Sequence, residues 1–170
     1  SARQFRHPSL VADIAEILTD TGLPPQSLKL EITESVMMDD TASTLDTLCA
    51  LKRLGIQLAV DDFGTGYSSL SYLKRLPADA MKIDRSFARG LGQSREDQAL
   101  VEAMIAAANA LRLQVTVEGV ETAEQLDFLE RIGCDRVQGY LFAPPMPADA
   151  AAHFLQTGPR VSGSYHPVLP

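Results

Sequence analysis

Ile56-Gln57-Leu58-Ala59-Val60-Asp61-Asp62 is the stretch on which the fold turns: an apolar strand-like run that ends in two adjacent carboxylates. Four other segments close in the same way. Residues 28–32 carry Glu31 and run on to Glu34, and residues 81–84 carry Lys82 and Asp84. Residues 115–117 lead into Glu118, and residues 136–137 lead into Gln138. Segments of helical periodicity separate these runs, so the chain reads as repeated strand–helix units. A parallel barrel or a doubly wound sheet builds its site at the carboxyl ends of its strands. Several carboxylates, a lysine and a glutamine gathered there point to a divalent-metal site.

The intervening helices are written in the apolar spacing. Residues 8–21 place Val11, Ile14, Ile17 and Leu18 on one face, closed by Gly22 and Pro24-Pro25. Residues 41–54 align Leu45, Leu48, Leu51 and Leu54, with Gly55 at the end. A short helix over 68–76 precedes Pro77. A long one over 95–111 is capped by Ser94, with Leu100, Val101, Met104, Ile105 and Ala108 as its expected inner face. Thr122 and Gln125 form a capping box for a helix that stops at Gly133, and residues 147–155 supply the last. The expected domain spans 1–157. The tail 158–170, rich in Gly, Pro and Ser, reads as mobile.

About five strands and six helices, beginning with a helix, fall short of a (β/α)8 barrel, which needs eight strands and roughly 250 residues. A five-stranded doubly wound sheet fits the count. It gathers its site at one switch point, however, and does not account for reactive residues at the end of every strand. The expected fold is therefore α/β, a modified TIM (β/α)8 barrel truncated at its N-terminal side. The absence of an initiator Met agrees with a chain cut from something longer.

Composition narrows the function. At 170 residues and 45% apolar content, the chain is one globular domain with a real core. No apolar run approaches the roughly 18 residues of a membrane span, and nothing resembles a signal peptide. A cytoplasmic setting is expected. Cys49 and Cys134 are expected to be buried free thiols rather than a disulfide. A net charge of −7 argues against a nucleic-acid polymer as partner and favours a pocket that attracts cations.

Asp61 and Asp62 cannot both be buried unpaired, because desolvating two carboxylates is very costly. One or two divalent cations resolve the problem; the alternative is a solvated loop start with a helix cap. Oxygen ligands suit Mg²⁺ or Mn²⁺ rather than Zn²⁺. His7, His153 and His166 are scattered without ligand spacing. The loop Phe63-Gly64-Thr65-Gly66-Tyr67-Ser68-Ser69 has glycines that permit close backbone approach, although no Gly-Lys-Ser/Thr follows as in a Walker loop. Glu34 could accept hydrogen bonds from this loop, or stand as an exposed loop acid. Lys82 alternates with Met81 and Ile83 and so faces away from them. An inward lysine of this kind pairs with carboxylates or serves substrate.

Taken in order, Ser1-Ala2-Arg3-Gln4-Phe5, Glu31-Ile32-Thr33-Glu34-Ser35, Asp61-Asp62-Phe63-Gly64-Thr65-Gly66-Tyr67-Ser68-Ser69-Leu70, Lys82-Ile83-Asp84-Arg85-Ser86-Phe87, Val117-Glu118-Gly119-Val120-Glu121-Thr122 and Gln138-Gly139-Tyr140-Leu141-Phe142 resemble EAL domains. These are bacterial phosphodiesterases that cleave the second messenger cyclic di-GMP. The resemblance implies a modified TIM barrel that binds two Mg²⁺ or Mn²⁺ ions and opens one phosphodiester to give linear pGpG. By similarity, Glu31 and Asp61 would ligate the first metal, with Asp61 bridging to a second held by Asp62. Glu118 would be a further acid at the metal and water, Lys82 would orient or polarise the water, and Gln138 would hydrogen-bond beside it. Glu34 would anchor the loop from Asp61, which the family uses in metal binding and homodimer contacts. Asp84, Gly64 and Thr65 would serve substrate binding.

The sequence also departs from the family. The namesake Glu-Ala-Leu motif with its arginine, and the asparagine expected just before Ser1, are absent from the chain. Both the glutamate and that asparagine ligate the first metal. The expectation is an active parent protein, with upstream sensory or GGDEF-type domains and room for a membrane anchor outside this chain, and little or no turnover by this chain alone. The alternative is a non-catalytic EAL module, a cyclic di-GMP receptor or a protein-interaction domain.

Overall fold

Five parallel strands, β1 (Lys29–Thr33), β2 (Gln57–Phe63), β3 (Ala80–Ile83), β4 (Gln114–Glu118) and β5 (Arg136–Gln138), pair in the order in which the chain makes them. The computed structural model describes residues 2–5, 7–33, 36, 42–66 and 70–157. Glu34 and the tail 158–170 lie outside the described residues. Sequential order separates the two fold expectations. A doubly wound sheet reverses its strand order at a switch point, whereas a (β/α)8 barrel never does. The described residues form five strands of a TIM-like barrel.

Helices fill the crossovers: α1 (Ala2–Phe5) and α2 (Leu10–Thr21) precede β1, and α3 (Ala42–Arg53) leads into β2. α4 (Leu70–Leu73) follows β2. Two helices follow β3, α5 (Arg85–Arg89) and α6 (Arg95–Ala110), then α7 (Ala123–Arg131) and α8 (Ala148–Thr157). The expected caps are present. Ser94 Oγ accepts from Asp97 N at 3.1 Å, and Thr122 with Gln125 makes the full capping box. Gly22 ends α2 in the left-handed region at φ 66°.

One face of the sheet is apolar and packs on the helices. Val60, Met81, Ile83, Val115 and Val117 are almost wholly buried in a cluster with Val101, Ile105 and Ala108 of α6. A second cluster joins Ile32 and Leu58 to Leu18 of α2 and to Leu48 and Leu51 of α3. Two expected inner-face residues belong elsewhere. Ile17 is 58% and Leu100 49% exposed, so each lies at the edge of its helix stripe. Spacing alone draws that stripe too wide, because only Val11, Ile14 and Leu18 on α2 reach the core cluster.

The cysteines are free, but only one behaves as a buried thiol. Cys49 is exposed on α3, which corrects the expectation for it. Cys134 lies against β4 and β5, where burial pushes its pKa up to about 11. At pH 8 about one molecule in a thousand would then carry the Cys134 thiolate, the reactive form. Iodoacetamide at that pH is expected to label Cys49 and spare Cys134 in the folded chain, with both labelled in denaturant. Peptide mass mapping reads the outcome, and equal labelling of the two in the native state would count against it.

Candidate metal centre

Parallel strands put alternate side chains on opposite faces, so the residues interleaved with the core valines face the other way. On that face stand Glu31 of β1, Asp61 of β2, Lys82 of β3 and Glu118 of β4. Lys82 is the hub. Its Nζ donates to Glu31 Oε2 at 2.9 Å and lies 2.7 Å from Glu118 Oε1 and 3.2 Å from Asp61 Oδ1. The residue is 9% exposed. Burial by itself would lower its pKa, but hydrogen bonds to Glu118 and Glu31 outweigh that and hold it above the usual lysine value of 10.5. The lysine is therefore a fixed cation among three carboxylates.

Asp61 and Asp62 should point to opposite sides of a regular strand. They do not, because β2 carries one extra residue there. Val60 pairs with Met81 and Phe63 with Ile83, so three steps along β2 match two along β3. Asp62 absorbs the bulge in the left-handed region at φ 55°, a conformation that non-glycine residues seldom adopt. The result brings carboxylate oxygens of Asp61, Asp62 and Glu118 within 4.8 Å of one another. The Asp62 pKa is raised from its ordinary value by desolvation and by the neighbouring charges of Asp61 and Asp84.

Asp61 Oδ1 is buried and makes no hydrogen bond. Its 3.2 Å approach to Lys82 is an ion pair. A buried carboxylate oxygen with unused lone pairs, beside two further carboxylates, fits a divalent cation with oxygen ligands, and this donor set suits Mg²⁺ or Mn²⁺. Glu31 is brought to the centre through Lys82 and lies outside the three-acid cluster. Gln138 stands opposite Glu118 across the β4–β5 ladder.

The remaining expected site residues have structural work of their own. Asp84 caps α5, accepting from Ser86 N at 2.9 Å, and although desolvation opposes it, those Ser86 hydrogen bonds lower its pKa. Thr65 closes the turn after the bulge, both its amide and its hydroxyl donating to Asp62 O, at 3.3 and 2.9 Å. Gly64 sits between them at φ 99°. Acids at the opposite end of the sheet are structural: Asp79 accepts from Leu58 N and Lys52 Nζ, and Asp135 from Val115 N.

Sequence reasoning missed α5, which carries Phe87 beneath the turn. Its only signals were Asp84 as a cap and Gly90 as a stop, too little for a five-residue helix.

Comparison with known proteins shows what the chain as a whole is similar to. The EAL domain matches residues 1–145. The chain is 47% identical over 149 residues to the Pseudomonas aeruginosa bifunctional diguanylate cyclase/cyclic di-GMP phosphodiesterase MucR, covering 88% of this chain and 22% of that protein. Among solved structures, the EAL domain of Mycobacterium smegmatis DcpA superposes with a TM-score of 0.88 at 45% identity, covering 93% of this chain and 71% of that one. Klebsiella pneumoniae BlrP1 in complex with manganese and cyclic di-GMP superposes with a TM-score of 0.77 at 35% identity, covering 84% and 36% respectively. The chain spans about a fifth of the length of the curated relatives it matches.

Proposed function

The chain belongs to the EAL domain family, and we propose that its parent protein hydrolyses cyclic di-GMP to linear pGpG at the carboxyl ends of β1–β5. The observation that carries this reading is the bulge in β2, which turns two adjacent aspartates toward Glu118 beside a buried lysine.

In this reading Glu31 and Asp61 would hold one divalent cation, Mg²⁺ or Mn²⁺, and Asp61, Asp62 and Glu118 offer the oxygen donors for a second. Two such cations, when bound, make a water more acidic and offset the charge that builds on a phosphodiester in an in-line displacement. The protein does the rest. Lys82, fixed by Glu31 and Glu118, directs its ammonium protons toward the attacking water. Glu118 holds that water on its other side, and Gln138, one strand over, hydrogen-bonds beside it. Gly64 lets the backbone of the turn approach substrate closely, and Asp84 lines the same rim. No side chain needs to form a covalent bond to phosphorus.

No described helix is long and apolar enough to cross a membrane. The parent, by analogy with the much longer relatives, carries further domains that regulate this one.

The test is incubation of the parent protein and of this chain with cyclic di-GMP and Mg²⁺ or Mn²⁺, following pGpG by chromatography. Metal-dependent pGpG from the parent, with little or none from this chain, is expected. Binding of cyclic di-GMP by the parent without any pGpG would replace the phosphodiesterase reading with that of a receptor.

A further inference from the structure

The left-handed backbone of Asp62 is the means by which the second carboxylate reaches the cluster, and it needs something to hold it. The turn that follows rests on the α5–α6 pair. Gly64 lies so close to Phe87 that a Cβ there would stand 2.6 Å from Phe87 Cε2, 2.8 Å from Cζ and 3.0 Å from Met104 Cε. The aromatic ring and the methionine thus form a floor directly under the residue two positions beyond Asp62. From above, Thr65 ties back to the Asp62 carbonyl through its amide and hydroxyl. The turn is therefore pinned on both sides.

The floor itself is well fixed. Asp84 caps α5, and Ala88, fully buried, offers its carbonyl to Gln125 Nε2 of α7 at 3.0 Å. Gly119, the residue after Glu118, leaves room for the Arg85 side chain; a Cβ there would stand 2.4 Å from Arg85 Cβ. One five-residue helix thereby touches the Asp62 turn through Phe87 and the Glu118 turn through Arg85.

We propose that Phe87 is a positioning residue for the metal centre, acting through Gly64 to keep Asp62 in its left-handed conformation and its carboxylate beside Asp61 and Glu118. The proposal rests on the reading of those three acids as metal ligands. Outer groups that orient ligands typically govern metal affinity by about 10- to 100-fold, and that is the effect expected of Phe87.

The test is Mn²⁺ titration of this chain, reading free Mn²⁺ by its electron paramagnetic resonance signal. The variants are Phe87→Ala, Phe87→Leu, Asp62→Asn and Phe87→Ala/Asp62→Asn, with circular dichroism confirming the fold of each. Phe87→Ala is expected to weaken Mn²⁺ binding about 10- to 100-fold, and Phe87→Leu by less. In the Asp62→Asn background, Phe87→Ala should add almost nothing, because both act through one carboxylate. A folded Phe87→Ala chain that binds Mn²⁺ like the unmodified one, or whose effect adds fully to that of Asp62→Asn, overturns the proposal while leaving the metal reading intact. An unmodified chain that takes up no Mn²⁺ overturns the metal reading and this proposal with it. Should Phe87→Ala fail to fold, Phe87→Leu carries the same comparison.

Discussion

Asp61→Asn is expected to lower the turnover of cyclic di-GMP by the parent protein about a thousandfold, with the fold intact. The substitution keeps the shape of the side chain and removes its charge. Asp61 is the acid with a buried oxygen that no hydrogen bond satisfies, and like Glu118 it both faces Lys82 and belongs to the three-acid cluster. A neutral amide there would leave the proposed cation without one of its counter-charges. Charge stabilisation by a catalytic metal contributes several kcal/mol to the transition state, and each 1.36 kcal/mol is about tenfold in rate. Initial rates of pGpG formation at saturating Mn²⁺ measure the effect, with circular dichroism beside them. A folded variant within tenfold of the parent would remove Asp61 from the metal site.

Lys82→Met should act first on stability. Methionine fills the space but leaves Glu31, Asp61 and Glu118 facing one another without the ammonium that now lies within 3.2 Å of each. Breaking a buried ion pair from one side costs about 3 kcal/mol or more, here about a 10 °C fall in Tm. The pH dependence follows from the raised pKa of Lys82. A cationic group whose folded pKa lies above its ordinary 10.5 contributes its full stability below 10.5 and loses it as pH rises through the folded value. The gap between Lys82→Met and the unmodified chain should thus stay constant from pH 7 to 10 and close only above 10.5. Mn²⁺ should restore part of the loss, since a cation bound to the folded state replaces the missing charge. Thermal melts in EDTA and in Mn²⁺ report both effects. An unchanged Tm at pH 7 would mean that the three acids do not depend on the lysine.

The strands were legible because each is a short apolar run with a polar end, and alternation told which way Lys82 points. Glu118 and Gln138 came with the same pattern, at equivalent positions of neighbouring strands. What could not be read was the geometry of Asp61 and Asp62. Two adjacent carboxylates on a regular strand diverge, and only the pairing with β3 reveals the extra residue that turns them together. Phe87 was hidden for a related reason. Five residues of helix carry too little periodicity to stand out, and the contact with Gly64 joins residues far apart in sequence. The overdrawn stripes on α2 and α6 have a simpler cause. A helix presents an apolar arc, and Ile17 and Leu100 lie just outside the part that neighbouring elements cover.

The most direct test of the metal centre is a crystal structure of this chain grown in MnCl₂, with anomalous scattering used to locate manganese. A peak bound by Asp61 and Asp62, with Glu118 beside it and Lys82 still in contact with Glu31, is the result expected. Crystals of the same form in which no manganese lies near those carboxylates, and in which Lys82 alone balances them, would contradict it.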